Sequence, residues 1–216
     1  MISKIVITGL PECNKTLLAL SLANITDIPY TRSRTIYEWC RCCNVSDFSK
    51  LKWKDMFFIA SASFFENVKT ESYFDRFISD ESSLRELICL KSFSENQNET
   101  KMKIERNKIV QDLEIVSARH ALQQYDFVVH LNSDNDKYFS DLYLQLYEKY
   151  NIPYRLYTSV STEEIIREIT GDSNLPVRGS VENSIYQAKH NLFMKNDSYI
   201  SRCKSGNKCL TPKILT

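Results

Sequence analysis

The octapeptide Gly9-Leu10-Pro11-Glu12-Cys13-Asn14-Lys15-Thr16 constrains this chain more than any other part of it. Before it stands Lys4-Ile5-Val6-Ile7-Thr8, a compact β-branched run that reads as a strand. After it comes Thr16-Leu17-Leu18-Ala19-Leu20-Ser21-Leu22-Ala23, made of strong helix formers. A glycine followed at this spacing by Lys-Thr, between a strand and a helix, is an arrangement with a physical purpose. It turns successive backbone N–H groups inward and places a phosphate at a helix N-terminus, where the dipole favours anions. On this reading Gly9, Leu10, Pro11, Glu12, Cys13, Asn14, Lys15 and Thr16 all line a phosphate cradle. Lys15 reaches the β- and γ-phosphates and serves catalysis, and the Thr16 hydroxyl completes the coordination of Mg²⁺.

Asn14 stands where a second glycine is usual. A phosphate nest alternates right- and left-handed residues, so the position before the lysine needs a positive φ. Asn enters that region more readily than most non-glycine residues. The loop is therefore expected to close with Asn14 in place, at a strain of about 1 kcal/mol. Glu12 brings a negative charge close to the anion, and its direction is not legible in sequence.

Beyond the loop, short β-rich runs alternate with longer helical segments, the pattern of a parallel sheet with crossover helices. Ile28–Thr31, Phe77–Ser79, Tyr125–Leu131 and Pro153–Tyr157 read as further strands. Helices are expected at about 35–42, 47–68, 82–90, 99–124, 136–150 and 162–169. The chain of 216 residues suits one sizeable α/β domain, placed at 1–170. A linker and an amphipathic helix docked on the domain follow at 171–194, and a polar, disordered tail at 195–216.

Basic and acidic residues balance at 28 and 27, which gives no support to nucleic acid or an anionic membrane as a partner. No segment is long and apolar enough to span a bilayer, and the start lacks the regions of a signal peptide. Seven cysteines, an odd count, argue against a fully paired disulfide scaffold. Together these place the protein in the cytoplasm. Cys40-Arg41-Cys42-Cys43 lacks the two regular pairs of a structural zinc site and reads as thiols. His130, inside an apolar strand, reads as a satisfied core residue, and Tyr37 and Trp39 as core aromatics.

With Ile5-Val6-Ile7-Thr8-Gly9 and Asn14-Lys15-Thr16 in hand, the chain resembles the P-loop kinase-like ATPases that include ribosylnicotinamide kinase domains. Their third strand ends in Asp-Arg-Ser, matched here by Asp80-Glu81-Ser82 with Glu81 in the arginine's place. A tyrosine–aspartate pair approaches their fourth strand, as Tyr125-Asp126 does here. The resemblance covers roughly residues 3–170. It implies ATP and Mg²⁺ as cofactors and transfer of the γ-phosphoryl group to a nucleoside, nucleotide or similar small molecule. It also implies an arginine-bearing lid after the fourth strand. Here that stretch, Asn132-Ser133-Asp134-Asn135-Asp136-Lys137, is short and carries no arginine. With Glu81 also acidic, the usual charge stabilisers of phosphoryl transfer are depleted.

Asp80 is the best carboxylate for the site, able to hold Mg²⁺ together with Thr16 or to accept a proton from an acceptor hydroxyl. A second reading makes it the N-cap of the following helix. Arg34, with Arg32, follows the second strand and is the candidate replacement for the missing cation. The expected architecture is thus a three-layer α/β P-loop NTPase fold with five parallel strands. The Gly9 strand is central and beside the Asp80 strand, and a C-terminal helix and polar tail follow. The competing function is a nucleotide-binding regulator without phosphotransfer.

Overall fold

The computed structural model describes residues 2–10, 13–32, 36–43, 45, 51–95, 103–132, 137–158, 160–172, 175 and 177–204, with backbone alone at 36–37, 172 and 193–204. Among these are five strands: β1 (Lys4–Gly9), β2 (Tyr30–Thr31), β3 (Phe77–Ser79), β4 (Phe127–Asn132) and β5 (Tyr154–Thr158). Eight helices accompany them: α1 (Lys15–Thr26), α2 (Ile36–Cys42), α3 (Trp53–Ser72), α4 (Leu84–Glu95), α5 (Lys103–Gln124), α6 (Lys137–Tyr150), α7 (Thr162–Asp172) and α8 (Val181–Lys204). All strand pairs are parallel, in the order β2-β3-β1-β4-β5. The Gly9 strand is central and paired to the strand that leads into Asp80, as the sequence implies.

The register explains why β1 can carry a site. Val6 pairs with Ser79 on one side and with Val128 on the other, while Gly9 pairs with Leu131. The carboxyl ends of β1, β3 and β4 therefore converge on one edge, the edge where open parallel sheets hold ligands. Ile5, Val6 and Ile7 are fully buried because the sheet is covered on both faces. On one face Val6, Phe77 and Val128 pack with residues of α3, α4, α5 and α6. On the other, Ile5, Ile7, Ile78 and Val129 pack with α1, α7 and Ile185 of α8.

Two polar clamps fasten the sheet. Asp126 Oδ2 accepts hydrogen bonds from Ser3 N (2.7 Å), Ser3 Oγ (2.9 Å) and Lys4 N (3.0 Å), tying the entry of β1 to that of β4. Burial opposes its ionisation, yet these donors together hold its carboxyl below the ordinary range. The Tyr125 hydroxyl accepts from Ser83 N (2.9 Å) and donates to Glu71 Oε1 (3.1 Å), joining α3 to the segment after β3. The tyrosine–aspartate pair singled out in the sequence thus has a structural task for each member. It also explains why β4 starts at Phe127 rather than at Tyr125.

Other boundaries move for visible reasons. α3 runs to Ser72, past Val68, because its last turn buries Glu71, a residue that pattern reading assigns to solvent. Glu71 is matched by His120 Nε2 (2.6 Å) and Tyr125, and burial raises its carboxyl pKa. α4 begins at Leu84 and continues to Glu95. α8 runs to Lys204, ten residues beyond its expected end. The remainder of the expected tail, residues 205–216, lies outside the described residues.

Candidate functional site

The loop between β1 and α1 starts with a glycine that no other residue can replace without cost. Gly9 has φ 126°, and a Cβ built on it would lie 2.3 Å from the Leu131 carbonyl oxygen. The pairing of β1 with β4 brings that carbonyl in, so close backbone approach and conformation both demand glycine here. At the other end of the loop Asn14 has φ 55° and ψ 29°, the left-handed conformation that its place before Lys15 requires. It makes no side-chain cap to α1. The first N–H groups of α1 are therefore left without the oxygen that a capping side chain would supply, a setting that suits an external anion. Cys13 N closes a turn onto Leu10 O at 3.1 Å. Pro11 and Glu12 lie outside the described residues.

Beneath the loop the sheet carries a buried polar cluster. Thr8 Oγ1 is 2.9 Å from His130 Nδ1 and 2.7 Å from the Tyr147 hydroxyl, and His130 Nε2 is 2.8 Å from Ser140 Oγ. Burial, and secondarily the charge of Lys15, lower the His130 pKa to about 4, so the imidazole is neutral at neutral pH. Both its nitrogens are engaged within the core.

Thr16 and Asp80 meet. The Thr16 hydroxyl donates to Asp80 Oδ2, and the Asp80 carboxylate is buried against the Tyr30 phenol. The nearby Tyr30 phenol is pushed far above the tyrosine range, first by burial and then by the Asp80 charge. The strap that presents Asp80 is fixed by Ser79, whose hydroxyl donates to Glu81 O (2.8 Å) and accepts from Glu81 N (3.2 Å). α4 starts four residues after Asp80, with Arg85 N bonded to Ser82 O at 3.1 Å. That spacing sets aside the N-cap reading of Asp80: the aspartate turns to Thr16 instead. A threonine hydroxyl and a carboxylate at a helix N-terminus are hard oxygen donors of the kind Mg²⁺ takes, usually with several waters retained.

Lys15 is buried and pairs with Glu81 Oε1 at 3.5 Å. The same carboxylate oxygen receives Arg85 Nη1 at 2.7 Å. Glu81 is therefore not a lone acidic intruder, because Arg85, one helical turn further on, restores a cation to this point. Sequence reasoning missed Arg85, although the i,i+4 spacing of Glu81 and Arg85 was available as a signal. Burial would lower the Arg85 pKa, but the Glu81 charge overcomes it, and the guanidinium is held charged.

Deeper between α3 and α4, Glu86 Oε1 accepts from Ser63 Oγ (2.7 Å) and Asn67 Nδ2 (3.0 Å). Burial raises its pKa to about 7 against these donors. Nothing in the sequence pattern marked this trio, because a helical Glu is ordinarily a surface residue. The expected replacement cations fare differently: Arg34 lies outside the described residues, and Arg32 turns to Glu38 at 2.8 Å in an exposed pair. The lid stretch 133–136 is likewise outside the described residues. Trp39 packs against the core of the α3–α6 face.

No family model matches the chain, and no curated relative matches its sequence. Solved structures do match. Deoxyadenosine kinase from M. mycoides, with the products dCMP and a flexible dCDP bound, superposes with a TM-score of 0.58 at 16% identity, covering 79% of this chain and 98% of its own. The fold is that of a P-loop kinase. The same enzyme with bound dCTP gives a TM-score of 0.54, and with bound dATP 0.52, each at 14% identity. Both again cover 79% of this chain, and 98% and 99% of their own. At such identities the likeness to a P-loop kinase is one of fold. The finer likeness to ribosylnicotinamide kinase domains rests on the sequence motifs alone. Among the described residues no helix is long and apolar enough to cross a membrane.

Proposed function

We propose that this protein binds ATP with Mg²⁺ and transfers the γ-phosphoryl group to a hydroxyl of a nucleoside, nucleotide or similar small molecule. The observation that carries this reading is the meeting of Thr16 and Asp80 at the uncapped N-terminus of α1, beside Lys15. The loop N–H groups and Lys15 hold the phosphates. Thr16 and Asp80 would hold Mg²⁺, which would offset the charge of the β- and γ-phosphates. In the reaction, the acceptor oxygen bonds to the γ-phosphorus, the bond from that phosphorus to the β-bridging oxygen breaks, and ADP leaves. Asp80, the carboxylate beside Thr16, is the group that would take the acceptor's proton. The fold likeness to deoxyadenosine kinases supports a nucleoside-type acceptor.

A second reading, a nucleotide-binding regulator without phosphotransfer, draws on the Glu81 contact that neutralises Lys15 and on the expected lid stretch, which lacks arginine. Thermal denaturation with ATP–Mg²⁺ tests the binding shared by both. A hundredfold excess over Kd should raise stability by about 2.7 kcal/mol, and Lys15→Ala should remove most of that gain. An unchanged melting temperature at millimolar nucleotide in both proteins sinks the binding reading. Phosphotransfer to a panel of nucleosides and nucleoside monophosphates then separates kinase from regulator: binding without turnover on any acceptor leaves the regulator.

A further inference from the structure

We infer that Lys15 and Arg85 together form a two-cation seat for the terminal phosphoryl group, which Glu81 fills until a nucleotide displaces it. The inference rests on the nucleotide-binding reading of the loop and adds to it a residue and a mode of control. One carboxylate oxygen, Glu81 Oε1, receives both cations, Lys15 Nζ at 3.5 Å and Arg85 Nη1 at 2.7 Å. The three side chains are 8%, 13% and 14% exposed for Lys15, Glu81 and Arg85, so the ions meet largely out of water, where their attraction is strong and poorly screened. They come from three different elements: Lys15 from the start of α1, Glu81 from the strap after β3, and Arg85 from the first turn of α4. An anionic oxygen held between a lysine and an arginine beside a helix N-terminus has the electrostatic setting of a phosphoryl oxygen.

The charges make the arrangement a competition. Lys15 cannot serve a triphosphate fully while Glu81 holds it. An arriving γ-phosphoryl group carries more charge and more acceptor oxygens than a carboxylate and takes over the lysine. Arg85 is already aimed at the vacated position and engages the same phosphoryl group through its planar fork. Thr16 and Asp80, which meet each other, adjoin Lys15 and Glu81 in the chain, so the groups proposed to hold a metal border the seat. The contact therefore favours ligands with a terminal phosphate over those that fill only the loop.

The test measures affinity for AMP, ADP, ATP and inorganic tripolyphosphate, each with Mg²⁺, in wild type, Glu81→Gln, Arg85→Lys and Arg85→Met. Removing the competing charge in Glu81→Gln should tighten ATP and tripolyphosphate about tenfold and leave AMP unchanged, from the usual worth of one charged hydrogen bond. Arg85→Met should lower the ratio of ATP to ADP affinity about tenfold on the same scale, with Arg85→Lys intermediate. Unliganded melting temperatures check that each variant is folded; Glu81→Gln and Arg85→Lys keep the test decisive if Arg85→Met is not. ATP affinity that is unchanged or weaker in Glu81→Gln overturns the inference, as does an unaltered ATP-to-ADP ratio in the Arg85 variants. Tripolyphosphate binding with these sensitivities, in a protein that ignores every nucleotide, would support the seat while rejecting the nucleotide reading. A protein that binds none of the four ligands rejects both.

Discussion

Replacing Glu86 by Gln should stabilise the protein increasingly as pH rises. Glu86 is buried between α3 and α4, and burial raises its pKa to about 7 from 4.5 despite the bonds from Ser63 and Asn67. Its folded-state pKa therefore lies above the unfolded one. Between the two values the native state binds more protons than the unfolded chain, so raising the pH costs stability through this group. The full shift corresponds to about 3 kcal/mol at 1.36 kcal/mol per pKa unit, and about 2.5 kcal/mol of that falls between pH 5 and pH 8 by integrating the linkage relation. Gln keeps the shape and the acceptor for Ser63 but does not ionise. Urea unfolding at pH 5, 6, 7 and 8, for both proteins, gives the difference in unfolding free energy at each pH and cancels the other titrating groups. The variant's advantage should grow by about 2–3 kcal/mol over this range. A difference that stays flat with pH would show that Glu86 ionises at an ordinary pKa and refute the reasoning from burial.

Three further outcomes are expected. Gly9→Ala should destabilise by about 2–4 kcal/mol, from positive-φ strain and a Cβ forced against the Leu131 carbonyl, as read by denaturant midpoint; near-neutral behaviour would mean that the β1–β4 contact yields readily. Asn14→Gly should leave stability within about 1 kcal/mol and tighten nucleotide binding modestly, since glycine relieves the left-handed conformation at φ 55°; weaker binding in a titration would assign the Asn14 side chain a contact of its own. Asp80→Asn should cut phosphotransfer about 10²–10⁴-fold while changing ATP affinity far less; parallel losses in both would make Asp80 a binding group only.

Much of the architecture was legible because each local signal agreed with the next. The β-branched run before Gly9, the Lys-Thr pair and the helix formers after it all pointed to one turn, and the left-handed demand on Asn14 followed from the geometry of a phosphate nest. The placement of the Gly9 strand beside the Asp80 strand was legible as well. What failed were the polar residues turned inward. Glu71 and Glu86 are indistinguishable in pattern from solvent-facing helix residues, so α3 was ended one turn early and the Ser63–Asn67–Glu86 trio went unseen. Arg85 was hidden for another reason. Its i,i+4 relation to Glu81 acquires a meaning only once Glu81 is known to turn toward Lys15. Helix boundaries are where local sequence says least, because the competing turn here is decided by the Ser79 hydroxyl bonding to Glu81.

The packing of α8 over α1 has a consequence for the order in which the protein acquires its site. α1 carries Lys15 and Thr16 at its first turn, yet its outer surface is closed by α8, whose Ile185 joins the α1 core more than 150 residues later in the chain. The central strand β1 likewise waits for β3 and β4 before it has neighbours. On the ribosome, α1 therefore emerges well before the helix that encloses it, and its apolar face stands open in the interval. A nascent chain halted at residue 180 should be cut readily by protease within α1, and one released after α8 should resist.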